Sequence, residues 1–209
     1  MYVPKLFRSR RPDFADTLLA TEPWGLLITA VDENIRGSHL PFVYEPSTGE
    51  NGRLHGHMNR ANPHWRDLER ADEAMVVVTG PGAYVSPELY EVTPAAPSYN
   101  YTVVHVYGTP TLVEGSETTL ALLRATVERF EQGPDGRDWD IEPSLDYARR
   151  IVRGVVAFTI DITRLDAAAK LSQNKTPELQ DRVERAFAAS HNAAARAVAH
   201  EMREEKEWT

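Results

Sequence analysis

Short apolar segments alternate with polar, turn-rich ones over most of the chain. Residues 24–31, 74–79 and 155–162 are runs rich in β-branched and other apolar side chains, bounded by Gly, Pro, Asn or Asp. Runs of this length and composition are typical of buried strands. Further strand patterns cover residues 37–44, 53–58, 99–107 and 109–113. Because turns, not regularly spaced helices, separate most of these segments, the pattern predicts an antiparallel sheet.

Helical spacing is confined to fewer segments. In residues 118–130, the apolar side chains recur every three or four positions, which predicts an amphipathic helix. Residues 177–205 are rich in alanine and charged residues and predict a helical C-terminus, broken near Ser190. We therefore predict an α+β fold built on a β-barrel with peripheral helices. One domain is expected over residues 1–209, with a barrel core at 1–165 and a helical segment at 166–209.

Two glycine positions carry specific expectations. The segment from Gly80 to Gly82 contains a proline between two glycines and predicts a loop that ends the preceding strand. Gly56 lies within a predicted strand, where a missing side chain is expected to leave open space beside His57 for a flat ring.

Charge and cysteine content exclude several classes of function. The formal net charge is −8, and a nucleic-acid binder needs a cationic surface, so the charge argues against nucleic acid as a partner. The chain has no cysteine, which excludes disulfides, thiolate metal sites and thiolate-ligated heme. No apolar run approaches the ~20 residues of a membrane span, and the first residues lack the apolar stretch of a signal peptide. We expect a cytoplasmic protein with no membrane partner.

Five segments, in the same order along the chain, resemble the PaiB-like family. They are residues 1–4, 54–65, 80–87, 100–108 and 170–174. The resemblance implies a flavin-reductase-like split β-barrel, usually assembled as a homodimer. It also implies FMN binding or negative transcriptional regulation, the two descriptions given to many members.

Two segments are more similar to one branch of that family, the heme-dependent piperazate synthases. These are residues 56–65 and the proline- and alanine-rich segment 93–102. The resemblance implies heme b as cofactor and an N-hydroxylated amino acid as substrate. The implied reaction closes the nitrogen–nitrogen bond of L-piperazic acid from N5-hydroxy-L-ornithine.

His57 is the strongest candidate for a metal ligand. The resemblance aligns it with the axial heme ligand of the synthase branch. Alternation along a strand places His55, His57 and Asn59 on one face and Met58 on the other, toward the core. Neutral imidazole is a good iron ligand. The other interpretation is an ordinary hydrogen-bonded strand histidine.

The remaining candidates carry groups that can contact a cofactor or substrate. Arg60 and Lys170 could pair with a heme propionate or a flavin phosphate, or could be a surface ion pair and a loop lysine. Ser86 offers a hydroxyl, and Asn100 and Thr102 lie in a segment of the resemblance, so we expect these three to bind cofactor. The candidate acid and base groups are Tyr84, His105 and Lys170.

Three hypotheses therefore remain open from the sequence. The first is a heme-dependent N–N cyclase that uses His57. The second is an FMN-binding protein with Arg60, Ser86 and Lys170 at the flavin. The third is a regulator without catalytic activity, which the net charge of −8 disfavours as a direct DNA binder.

Overall fold

The structure is a computed structural model that describes residues 1–133 and 136–208. Within these ranges the chain forms six strands and six α-helices. The strands are β1 (Trp24–Val31), β2 (Asn34–Glu45), β3 (Arg53–Asn59), β4 (Ala74–Val85), β5 (Ser98–Leu112) and β6 (Val155–Lys170). The helices are α1 (Phe14–Thr21), α2 (His64–Leu68), α3 (Ser116–Glu131), α4 (Leu145–Ile151), α5 (Pro177–Ala188) and α6 (Ala193–Glu207).

The six strands form one sheet that closes in the order β1-β2-β3-β6-β5-β4. The pairs β1–β2, β2–β3 and β3–β6 are antiparallel, with Leu27 opposite Ser38, Phe42 opposite Gly56 and Gly56 opposite Phe158. This arrangement confirms the predicted α+β class and the barrel. Strand β5 lies between β6 and β4.

By its internal contacts the chain divides into two compact units. The terminal unit consists of residues 1–22, 78–105 and 166–209, and the central unit of residues 23–77 and 106–165. Strand β6 continues to Lys170, so the segment that follows residue 165 begins as a strand before its helices.

The core of the central unit is apolar and consists of side chains from β3, β6 and the strands next to them. Leu54, Met58 and Phe158 are almost fully buried, and the ring of Phe42 meets that of Phe158 edge-on at 6.2 Å. The expectation of open space at Gly56 is wrong, because a Cβ atom there would lie 2.5 Å from Cζ of Phe158. Gly56 is needed for the close packing of this ring, on the face opposite His57.

The predicted loop from Gly80 to Gly82, in the terminal unit, is wrong. Strand β4 runs without interruption through Gly80 and Gly82 to Val85. A Cβ atom at Gly80 would lie 2.3 Å from Oγ1 of Thr102 and 2.7 Å from Leu18. The glycine therefore allows close packing inside a strand, where the sequence pattern predicted a turn.

The two C-terminal helices confirm the predicted break. Helix α5 starts at Pro177, where a missing backbone N–H costs nothing. Helix α6 starts after Asn192, whose Oδ1 accepts a hydrogen bond from the N–H of Ala194 at 2.9 Å. Nε of Arg203 on α6 donates to Glu184 on α5 at 2.7 Å, which ties the pair together.

Among the residues that the structure describes, none of the helices is both long and apolar enough to cross a membrane.

Candidate functional site

His57 lies on the outward face of β3, as the alternation predicted. Leu54 and Met58 are buried on the inward face, whereas His55 and His57 are only partly buried. Within the described part of the chain, Nδ1 of His57 is buried and has no hydrogen-bond partner. Burial also lowers the pKa of His57, because desolvation penalises the charged imidazolium. The ring is therefore a neutral imidazole at neutral pH, which is the form that binds a metal.

The residue of β6 that lies beside His57 is small and buried. Ala157 is the cross-strand partner of His57, and it is fully buried although it lies on the same outward face. The carbonyl of Ala157 accepts a hydrogen bond from the N–H of Val113 at 2.9 Å. The segment after β5 thus runs beside the part of β6 that pairs with His57.

Arg60 follows β3 and is held by main-chain carbonyls. Its Nε donates to the carbonyl of Arg153 at 2.9 Å, and a terminal nitrogen donates to that of Val155 at 3.2 Å. Its guanidinium lies 5.7 Å from the ring centre of Trp65, whose Nε1 donates to the Arg60 carbonyl at 3.0 Å. Arg60 is exposed and fixed in place, which suits a group that would meet an acidic ligand.

His55 differs from His57 by having a defined partner. Its Nε2 lies 2.9 Å from Oε2 of Glu45 on β2. The hydrogen bond from His55 is the main reason that the pKa of Glu45 is lowered. His55 therefore has a satisfied nitrogen where His57 has an unpaired one, which distinguishes two histidines that the sequence places on the same face.

Two other histidines of the central unit contact neighbouring protein side chains. His64 is fully buried, with Nε2 at 2.9 Å from Oγ1 of Thr29 and Nδ1 at 2.8 Å from Oγ of Ser38. Both ring nitrogens of His64 are thus satisfied within the protein. The ring of His39 stacks against that of Trp24, with centroids 6.3 Å apart.

The terminal unit holds the other predicted site residues. Tyr84 is exposed over 58% of its surface, and Ser86 accepts a hydrogen bond from the N–H of Glu88 at 3.3 Å. His105 is partly buried on β5. Nζ of Lys170 donates to Oγ of Ser98 at 3.0 Å.

Asn100 and Thr102 have no exposed surface. Nδ2 of Asn100 donates to Oγ of Ser172 at 3.0 Å and approaches Sδ of Met202 at 3.7 Å. Asn100 thus connects β5 to the segment after β6 and to α6. Both Asn100 and Thr102 pack among protein groups. Contact of either side chain with a cofactor stays a prediction.

Sequence reasoning missed a groove in the central unit. It has a volume of about 660 Å³ and lies between α3 and the outward faces of β2, β3 and β6. Glu45, Arg53 and His55 line it on the sheet side, and Ala121, Leu122 and Ala125 on the helix side. The signal that could have found it is the spacing of small and apolar residues along one face of α3.

Within residues 1–133 and 136–208, no group of three His, Cys, Asp or Glu side chains is arranged to hold a metal ion.

Residues 1–164 match the model of a family described as "Putative FMN-binding domain". The protease synthase and sporulation protein PAI 2 of Bacillus subtilis is 29% identical over 177 residues, covering 84% of this chain and 83% of the relative.

Two solved structures show the same fold at low identity. The FAD and heme binding protein from Mycobacterium smegmatis superposes with a TM-score of 0.58 at 18% identity, covering 83% of this chain and 78% of that one. The flavocytochrome Anf3 from Azotobacter vinelandii superposes with a TM-score of 0.57 at 14% identity, covering 80% and 72%. These likenesses confirm the predicted split-barrel fold.

Proposed function

We propose that this chain, which belongs to the family described as "Putative FMN-binding domain" by its match over residues 1–164, is a heme-binding enzyme. In this proposal His57 holds heme b, and the enzyme cyclises N5-hydroxy-L-ornithine to L-piperazic acid. The resemblance of residues 56–65 and 93–102 to the piperazate synthases supports the choice of reaction.

The environment of His57 is the observation that carries the proposal. A buried ring nitrogen without a hydrogen-bond partner, such as Nδ1 of His57 in the described part of the chain, destabilises the protein, and a bound ligand that contacts the ring would offset this cost. Burial also keeps the imidazole neutral. A partly exposed, neutral histidine on a rigid strand fits a heme iron that needs a single protein ligand. The exposed guanidinium of Arg60 fits a propionate.

The reaction is balanced without an external oxidant or reductant. The N–N bond forms, the N–O bond breaks, and one water leaves. Bound heme would supply a Lewis-acidic centre that polarises the hydroxylamine. The protein has to hold the two nitrogens together, accept a proton from the α-amine and deliver one to the departing oxygen. Tyr84, His105 and Lys170 are the proposed groups for the proton transfers.

The cofactor that purifies with the protein tests the proposal first. We expect a Soret band in the purified protein, or after hemin is added to it. Incubation with N5-hydroxy-L-ornithine should then give a product lighter by one water, with the chromatographic behaviour of authentic piperazic acid. A protein that carries tightly bound FMN and gives no Soret band with hemin would remove the heme enzyme from consideration.

A second candidate function is FMN binding without N–N chemistry, and the family match favours it directly. Arg60, Ser86 and Lys170 would be the flavin contacts in that case. Lys170 donates to Ser98, so its ammonium is positioned and not freely mobile. Release of FMN from the heat-denatured protein, in a molar ratio near one, would support this candidate.

A further inference from the structure

The groove between α3 and the sheet of the central unit has the size of a small-molecule site. Its volume of about 660 Å³ is within the range of roughly 300–1,000 Å³ that is usual for such sites. On the helix side, Thr118, Ala121, Leu122 and Ala125 recur at three- or four-residue spacing and so share one face. On the sheet side, Val43 and Val113 add apolar surface.

Two opposite charges face each other at the sheet side of this groove. Glu45 on β2 is directly opposite Arg53 on β3, and both line the groove. Each forms its closest ion pair with another residue. Oε2 of Glu45 lies 2.9 Å from Nε2 of His55, and Nε of Arg53 donates to Oδ1 of Asp161 at 2.5 Å. The groove thus presents one carboxylate and one guanidinium, each fixed by a neighbour.

We propose that this groove binds an α-amino acid with a short aliphatic side chain, as the zwitterion. The ammonium of the ligand pairs with Glu45, and its carboxylate pairs with the remaining N–H groups of Arg53. The methylenes lie against Leu122 and Ala125 of α3. A purely anionic ligand would make no ion pair with Glu45, and a purely cationic ligand would make none with Arg53.

This inference rests on the proposed function, because it names where that enzyme would bind its amino-acid substrate. Arg53, His55 and His57 follow one another on the same face of β3, and such residues are spaced by about 6.6–6.8 Å. Val113 lines the groove, and its N–H bonds the carbonyl of Ala157, the cross-strand partner of His57. His57 itself is not among the lining residues, and a ligand held at Glu45 and Arg53 would extend its side chain along β3 past His55, in the direction of His57.

The test measures binding by calorimetry, with L-ornithine as the probe and the full-length protein as purified. Putrescine lacks the carboxylate, and 5-aminovalerate lacks the α-amine. Because each loses one charge-assisted contact, we expect each to bind at least about tenfold more weakly than L-ornithine. Equal affinity for all three compounds, or no binding of L-ornithine, would overturn the inference.

Variants of the chain locate the site. Glu45→Gln should weaken L-ornithine binding about tenfold, and Ala125→Leu should weaken it by filling the groove from an exposed helix position. Glu50→Gln removes one exposed carboxylate that does not line the groove, and binding should be unchanged. Unaltered binding in both groove variants would place the site elsewhere.

The heme spectrum separates this inference from the proposed function. Glu45→Gln should keep the wild-type Soret band, because Glu45 is not a candidate iron ligand. If L-ornithine binds in the groove but no Soret band ever forms, the groove stands and the heme enzyme does not. If heme binds through His57 and the groove variants bind L-ornithine normally, only the groove is wrong.

Discussion

At the scale of single residues, hydrogen bonding separates the histidines that the sequence presents alike. His64 is buried with both ring nitrogens bonded, His55 is paired with Glu45, and His57 has a buried nitrogen without a partner in the described chain. A satisfied buried histidine contributes to stability, whereas an unsatisfied one on a partly exposed face is a candidate for binding. The strand pattern predicted the outward face of His57, but only the structure shows which nitrogens are bonded.

Replacement of His64 should be more costly to stability than replacement of a surface histidine. His64→Ala leaves a cavity and leaves Thr29 and Ser38 without partners, so we expect a loss of about 2–4 kcal/mol in the free energy of unfolding. His200→Ala, at an exposed position on α6, serves as the control and should change it by less than about 0.5 kcal/mol. Urea denaturation measures both. A similar small effect for the two variants would contradict this account of His64.

The pKa of His64 gives a dependence of stability on pH. Burial is the main cause that lowers this pKa, so the folded protein resists a proton that the unfolded chain accepts. As the pH falls below about 6.5, the unfolded state binds more protons and the free energy of unfolding should decrease. His64→Gln should decrease less over the same pH range. An equal decrease in wild type and variant would show that other groups cause it.

At the scale of elements, β3 positions the site by alternating what it buries. Gly56 packs under Phe158 on the inward face, which fixes the strand that carries His55 and His57 outward. The sequence predicted the strand and its two faces because alternation of apolar and polar residues is a local signal. It did not predict that the ring of Phe158 occupies the space beside Gly56, or that β4 continues through Gly80. Both features depend on residues distant in the chain.

Gly56→Ala should therefore destabilise the protein through Phe158. The added methyl would lie 2.5 Å from Cζ of that ring, and such overpacking costs about 1–3 kcal/mol. Gly154→Ala is the matched control, since an added Cβ there meets nothing within 4 Å. It should be neutral or slightly stabilising, because it reduces the entropy of the unfolded chain. Thermal unfolding of both variants measures the difference, and equal melting temperatures would refute the role given to Gly56.

For the molecule as a whole, the sequence predicted the class of fold but only part of the candidate site. Short strands with intervening turns and one clear amphipathic helix predicted an α+β barrel, which the strand order confirms. His57 and Arg60 were named from residue type and resemblance. The groove at Glu45 and Arg53 was missed, because the pairing of β2 with β3 and the packing of α3 bring its walls together.

We predict that the protein is a homodimer. Several large apolar side chains are exposed, among them Tyr2 in the terminal unit and Ile35 in the central unit, at 88% and 79%. Single exposed apolar residues are common on protein surfaces, so the prediction rests on the resemblance to the PaiB-like family, whose members are usually homodimers. Size-exclusion chromatography with light scattering should give twice the chain mass of 23.5 kDa at micromolar concentration. A mass of one chain, with the cofactor still bound, would contradict the prediction.

A hemin titration of two single variants tests whether His57 holds the heme. His57→Ala should lose or strongly shift the Soret band of the wild type, and added imidazole should restore it, because the only proposed protein ligand to the iron is gone. His55→Ala, two residues away on the same face of β3, should keep the wild-type band. Both variants should remain folded by circular dichroism, since neither side chain is in the core. A His57→Ala protein that binds hemin with the wild-type spectrum and affinity would contradict the claim that His57 holds the heme.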